Sequence, residues 1–324
     1  MTKYILNRFT LMLLMIAILV ILSFMIIEII PGDLAAMLIQ YEIRAIQMQP
    51  NPKEVYQQRY QEIRDMLGLD EPVFLRLFKN LQGFIQPGLG IPPAIWDMYS
   101  HTIRLVFMGF IISMVIGTPL GVICAVKKGK IFDRASFFII TLFSAIPGFV
   151  IASFLWMNAV QLWRYNQALA IGLTYSDWTD PLRWVIPVLS VSLGGIATFM
   201  LLIRSNMQNV LNEDYIRMAY AKGLKERTVV WKHAFRNVLL TLSTVAGLHF
   251  AALLISVTAV EMVVRMPGLM SALVFQVMEA RNVFILQSSL IIIGGTSMLI
   301  NFIVDIIYGF ADPRVRSFYK KTPN

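Results

Sequence analysis

Leu105 to Val126 reads LVFMGFIISMVIGTPLGVICAV, a run of 22 residues without Asp, Glu, Lys or Arg, bounded by Arg104 before it and Lys127 and Lys128 after it. A bilayer hydrocarbon core about 30 Å thick takes about 20 helical residues, so this stretch crosses once as a helix. A barrel strand would instead show about ten residues with period-two alternation, which is absent here. Five more stretches are free of the same four residue types: Phe9 to Ile27, Ala135 to Trp163, Trp184 to Ile203, Val238 to Val260 and Val283 to Val304. The expected fold class is therefore an all-α integral membrane protein with six transmembrane helices.

Composition agrees. The chain of 324 residues is 57% hydrophobic and only 15% charged, with a net charge of +9 and a mean hydropathy of +0.67. A soluble domain would be nearer a quarter charged, and a disordered chain would be less apolar still. The first apolar stretch is longer than a signal-peptide core of about 7 to 15 residues and shows no small-x-small cleavage site before Pro31, so an uncleaved helix is expected.

The direction of insertion follows from the positive charges. Residues 1–8, 127–134, 204–237 and 305–324 carry 17 of the 28 Lys and Arg, against 11 in the opposite connections, seven of them in the long first loop. Counting acidic residues as well leaves one side at +11 and the other at −2. By the positive-inside rule both termini are cytoplasmic. Topology thus explains the high isoelectric point, and no basic and aromatic face argues for nucleic acid. Cys124 is alone, and His101, His233 and His249 lie in separate elements without metal-ligand spacing, so neither a disulfide nor a metal site is expected.

Two connections are too long to be turns. In the outer one, Val55, Tyr56, Tyr60, Ile63 and Leu67 recur at helical spacing between Pro52 and Leu67, and Gly68 signals the end of that helix. Pro87 to Pro93 reads as a rigid turn. In the inner one, Arg204 to Asn237, the run Asn212-Glu213-Asp214 offers N-cap candidates, and Tyr215 to Lys222 gives about two helical turns before Gly223 stops them. A second helix over Lys225 to Arg236 is expected to lead into the fifth span. On charge alone this segment reads as a basic topology anchor.

Its residues say more. The run from Glu213 through Gly223-Leu224 to Asn237 resembles the cytoplasmic loop of permease subunits of binding-protein-dependent ABC importers, in the dipeptide and oligopeptide (peptide/nickel) branch. The same family is suggested by Pro31-Gly32-Asp33, Ile116 to Gly121, Pro147-Gly148-Phe149, Pro267-Gly268-Leu269, Asn301, Asp305 and Asp312-Pro313-Arg314. The family's general loop signature begins Glu-Ala-Ala. Here Arg217 and Met218 replace its first two residues while Ala219 and Gly223 agree, a variant common in the peptide branch. Two further departures are the missing Asp at Pro87-Gly88-Leu89-Gly90 and Met270 in place of a Gly.

The resemblance implies a type I ABC importer permease fold in the cytoplasmic membrane of a bacterium or archaeon. It also implies a non-catalytic subunit that works by alternating access on peptides delivered by an extracytoplasmic binding protein. Implied partners are a second homologous permease and two cytoplasmic ATPases, which would bind the ATP and Mg. No Walker A pattern is present in this chain, since Gly129-Lys130 is followed by Ile131. The implied ATPase contact comprises Asp214, Tyr215, Arg217, Ala219, Lys222, Gly223, Leu224 and Lys225, and Pro267, Gly268 and Leu269 would form an outer gate loop. The division that follows is 1–30 (N-terminus and first span), 31–102 (outer loop), 103–310 (five-helix core including the loop 204–237) and 311–324 (cytoplasmic tail).

Intramembrane polar residues are candidates for a translocation pathway or for interhelical hydrogen bonds: Asn158, Gln161, His249, Asn301 and Asp305. The same machinery importing nickel or other metal chelates, or glutathione, is the nearest alternative. An ion-coupled secondary transporter is the alternative from another class, but neither a mid-membrane charge nor a repeat is evident.

Overall fold

The computed structural model describes residues 2–29, 32–40, 42–85, 93–275 and 283–311, and every regular element among them is helical. In chain order these are α1 (Thr2–Ile29), α2 (Leu34–Ile39), α3 (Ile43–Gln47), α4 (Pro52–Leu67), α5 (Val73–Ile85), α6 (Pro93–Val126), α7 (Ile131–Ser144), α8 (Gly148–Gln161), α9 (Gln167–Thr174), α10 (Val185–Leu211), α11 (Asp214–Ala221), α12 (Glu226–Thr228), α13 (Phe235–Val263), α14 (Leu269–Phe275) and α15 (Val283–Ala311). Pro31, the turn from Pro87 to Pro92, and Asp312-Pro313-Arg314 with the rest of the tail lie outside the described residues.

Among the described residues five segments are long and apolar enough to cross a membrane: Thr2–Ile29, Ile95–Val126, Pro181–Leu211, Thr241–Val263 and Leu286–Ile307. The stretch from Ala135 to Trp163, expected as one span, is broken, with α7 and α8 meeting at 89°. Pro147 stands at the break as the N-cap of α8, with φ −56° and ψ 139°. Proline has no N–H to continue the ladder of α7 and disfavours helical backbone at the residue before it, so the helix stops and restarts. Counted as one bent span, α7 with α8 brings the total to six.

The chain divides into two compact units. The described residues of the first fall within 1–9, 101–266 and 299–311. Here α6 and α10 approach along a stripe of small residues spaced by four. A Cβ added at Gly117 would lie 2.7 Å from the carbonyl oxygen of Ile196, and one at Gly121 would lie 2.7 Å from that of Met200. One turn before Gly117 in this stripe, Ser113 donates to the carbonyl of Ser192 at 3.0 Å. In lipid, where hydrocarbon offers no hydrophobic drive, such close backbone approach is how helices gain packing energy. Phe110 packs edge-on against Phe199 and Phe250, and the free Cys124 is buried.

The described residues of the second unit fall within 10–100 and 267–298. Asp33 caps α2, accepting from the amides of Ala35 at 2.9 Å and Ala36 at 3.4 Å, and Tyr60 donates to its other oxygen. Ala35, Ile39, Ile46 and Ile63 form a small core that Val55, Tyr56, Tyr60 and Leu67 cover, as the helical spacing in α4 requires. In water, each fully buried Ile contributes about 1.5 to 3 kcal/mol. Gly68 ends α4 in the left-handed region at φ 61°. Ion pairs Arg59–Glu42, Arg64–Asp70 and Lys79–Glu71 lie at the surface, where solvent screening leaves them little net worth, while Arg76 and Glu28 pair with both side chains mostly buried. Leu269 joins Ile95 and Ile292 in a second apolar cluster, and Tyr99 shares a 2.9 Å hydrogen bond with Thr296.

Candidate functional site

The segment between α10 and α13 is built by its own backbone signals. Of the three N-cap candidates, Glu213 takes the position in extended conformation, without a capping bond from its side chain. Asp214 therefore lies in the first turn of α11, where a carboxylate favours the positive end of the helix dipole, and it is 3.8 Å from Arg217, with both side chains exposed.

The periodicity of α11 then sorts its residues into two faces. Ile216 and Ala219 are buried and join one apolar cluster with Val122 of α6, Phe199, Ile203 and Met207 of α10, and Val229, Val230 and Ala234. Tyr215, Arg217, Met218 and Tyr220 face outward, Met218 being 60% exposed. Ala219 is thus turned into the bundle, and its small side chain lets α11 seat closely on the helices beneath. The Tyr220 hydroxyl is pushed above its ordinary range by partial burial and by the charge of Glu226, which keeps it neutral.

The turn after α11 is a Schellman motif. The amide of Gly223 bonds to the carbonyl of Tyr220 at 2.9 Å and that of Leu224 to the carbonyl of Ala219 at 3.4 Å. This closure puts Gly223 at φ 73°, a region that penalises every residue with a Cβ. Lys222, Leu224 and Lys225 are exposed around the turn. The helix expected over Lys225 to Arg236 has a different form: α12 covers only Glu226–Thr228, and Val229–Ala234 is a π-helix that runs into α13. Wider turns of this kind carry an extra residue and are common at functional sites. Asn237 in the first turn of α13 donates to the hydroxyl of Tyr215, a tie between the start of α11 and the start of the fifth span.

Beside this segment, Arg204 of α10 forms a bidentate pair with Asp133 of α7, Nε donating to Oδ1 at 2.6 Å and Nη2 to Oδ2 at 2.9 Å. Asp133 is 2% exposed and also accepts from the amide of Gly129 at 2.9 Å. This pair was hidden in the sequence because its members are 71 residues apart. Two other buried charges lie just outside the apolar stretches. Glu261 accepts from the hydroxyl of Thr102 at 2.6 Å. Arg183 donates to the carbonyl of Val264 at 3.0 Å and stacks over Trp156 and Trp178.

The remaining candidates are dispersed. Asn158 is exposed and donates to the carbonyl of Phe154 in its own helix at 2.7 Å, and Gln161, also exposed, ends the same helix. His249 packs edge-on against Phe199, its Nε2 buried without a hydrogen-bond partner. Asn301 is exposed. Asp305 pairs with Arg8 at 3.1 Å, while its backbone carbonyl accepts from Tyr4 at 2.9 Å. Among the described residues no hydrogen bond joins any two of these five. Before α14, Pro267 is exposed and Gly268 buried, and Leu269, the first residue of α14, is buried as a core residue of the second unit.

The comparisons with known proteins agree in kind. The family model described as binding-protein-dependent transport system inner membrane component matches residues 117–317. A protein of Brucella abortus (strain 2308), named as a permease of a peptide transport system, is 31% identical over 98% of this chain and 99% of its own. The dipeptide transport system permease protein DppB of Escherichia coli (strain K12) is 26% identical over the same shares. A solved structure of the MetNI methionine ABC transporter, in inward facing conformations, matches with a TM-score of 0.51 at 18% identity, over 67% of this chain and 96% of that one, and so shares the fold. With a helical architecture of five candidate spans among the described residues, or six with the bent pair, a family match over residues 117–317 and relatives aligned end to end, the chain belongs to the binding-protein-dependent transport system inner membrane components, the permease components of ABC importers.

Proposed function

We propose that the chain is one permease of a heterodimeric, ATP-driven peptide importer of the cytoplasmic membrane, with both termini in the cytoplasm. Two ATPases bind ATP and Mg, and an extracytoplasmic binding protein delivers a di- or oligopeptide. The names of the relatives support the substrate class. The observation that carries the mechanism is the two-faced packing of α11: Ile216 and Ala219 are embedded in the core shared by α6, α10 and α13, while Tyr215, Arg217 and Met218 face outward.

A helix held this way moves as a rigid element. An ATPase gripping the outer face of α11 displaces α10 and α13 with it, through the buried face and through the Asn237–Tyr215 tie. Gly223 sets the angle between α11 and the π-helical entry to α13, so force reaches the fifth span directly. Arg217, Lys222 and Lys225 supply positive charge for carboxylates of the ATPase surface. Asn158, Gln161, His249, Asn301 and Asp305 act in interhelical packing or along the path, with Asp305 in the former role through Arg8.

The test is reconstitution of the complete complex in proteoliposomes with the binding protein on the opposite side from MgATP. The expected result is ATP-dependent accumulation of labelled peptide. Accumulation driven by an ion gradient without ATP establishes the secondary-transport alternative instead, and ATP-dependent uptake of a nickel chelate or glutathione but not of peptide reassigns the substrate.

A further inference from the structure

At the end of the first unit that carries α11, a groove of about 370 Å³ opens between the turn leaving α6 and the segment entering α13. Three cations line it: Lys127, Lys130 and Arg227. None of them has a carboxylate within 4.0 Å among the described residues. Lys127 instead lies 5.1 Å from the centre of the Phe132 ring, and the nearby Asp133 is committed to Arg204. Glu226 is the single acidic residue on the lining, which leaves the groove with two net positive charges. The rest of its wall is apolar, with Ile123, Val126, Val230 and the half-exposed Trp231.

We propose that this groove holds an anionic phospholipid of the leaflet at that end, its phosphate between Lys127, Lys130 and Arg227 and its first acyl carbons against Ile123, Val126 and Val230. Three features favour lipid over a protein partner. Ile123 and Val126 on its apolar wall lie in the last turns of a membrane span, and Val115 and Ile116, two to three turns earlier on the same helix, are exposed apolar side chains. Tryptophan is the side chain enriched at headgroup depth. Basic pockets at the cytoplasmic ends of spans bind anionic headgroups. Because one wall is the segment that joins α11 to α13, an occupant braces the element through which the proposed coupling passes.

The proposal is tested by fluorescence quenching of the complete complex in nanodiscs. The chain has six tryptophans, so the contribution of Trp231 is taken as the difference between the wild type and Trp231→Phe. With bromine-labelled chains, phosphatidylglycerol is expected to quench the Trp231 contribution at least about two-fold more than phosphatidylcholine at equal content. That preference is expected to vanish in the triple variant Lys127→Gln, Lys130→Gln, Arg227→Gln, shown by co-elution with the ATPases to be assembled. Excess inorganic phosphate leaves the preference in place if the ligand is a phospholipid. Equal quenching by the two lipids overturns the proposal, as does loss of the preference to phosphate alone. Quenching of Trp231 that occurs only after the ATPases are stripped away assigns the groove to a protein partner.

Discussion

Arg204 and Asp133 form a bidentate ion pair that clamps α7 to α10 beside the α11 segment, with Asp133 almost fully buried and Arg204 a quarter exposed. Removing either partner leaves the other charge poorly solvated, and that penalty exceeds the net worth of the pair. Asp133→Ala is expected to destabilise the protein by on the order of 3 kcal/mol. In a double-mutant cycle with Arg204→Ala, the coupling energy is expected at about 1 to 3 kcal/mol, read from unfolding in mixed micelles. Additive effects of the two substitutions would show that the pair does not carry the clamp.

Gly223 is the place where backbone geometry alone decides. An added Cβ there meets nothing within 4 Å, so any cost of substitution comes from the positive φ, about 1 to 2 kcal/mol for an L side chain. Gly223→Val is expected to lower transport and substrate-stimulated ATP hydrolysis while membrane insertion stays at the wild-type level. Gly223→Asn, which tolerates the left-handed region, is expected to retain most activity. Equal activity of the Val variant and the wild type would remove this turn from the coupling path.

Gly194 and Gly195 are neighbours with opposite surroundings. A Cβ at Gly195 would lie 2.6 Å from Nε2 of His249, whereas one at Gly194 meets nothing within 4 Å. Gly195→Ala is expected to cost about 1 to 3 kcal/mol through overpacking. Gly194→Ala is expected to be neutral or slightly stabilising through helix propensity. Melting temperatures of the two purified variants compare them directly.

The segment from Asp33 to Leu67 carries its own pH dependence. Glu42 is held below its ordinary 4.5, first by the hydrogen bond from Arg59, and Asp33 below its ordinary 3.8, where burial opposes the shift but Tyr60 and the amides of Ala36 and Ala35 outweigh it. Folded values lower than unfolded ones mean that the stabilisation is complete above the unfolded values and is lost as pH falls through the folded ones. Hydrogen exchange over residues 34–67 is expected to show constant protection from neutral pH down to about 5 and a fall below about 4. Glu42→Gln is expected to lower the neutral-pH protection and shrink the acid-dependent part.

Elements set by local pattern were legible in the sequence. The apolar stretches mark the spans, the spacing of Val55, Tyr60 and Ile63 marks the buried face of α4, and Gly68 and Gly223 mark turns because glycine adopts their positive-φ backbone without strain. What depends on distant partners was not legible. Asp133 reads as one more loop charge until Arg204 is brought to it. Thr102 and Glu261 lie 159 residues apart. The inward orientation of Ala219 and the π-helical form of Val229–Ala234 follow from how α11 and α13 share one core, information that no single segment contains. Pro147 was visible, but not the 89° by which it turns the chain.

In the proposed coupling, the outer face of α11 is the ATPase contact while its inner face is anchored in the bundle. Site-specific photo-crosslinking with the coexpressed ATPase tests it, placing the probe at Met218, 60% exposed, or at Ile216, fully buried. A crosslink to the ATPase is expected from position 218 and, from position 216, only crosslinks within the permease. Absence of any ATPase crosslink from position 218 in an assembled, ATP-hydrolysing complex would contradict it.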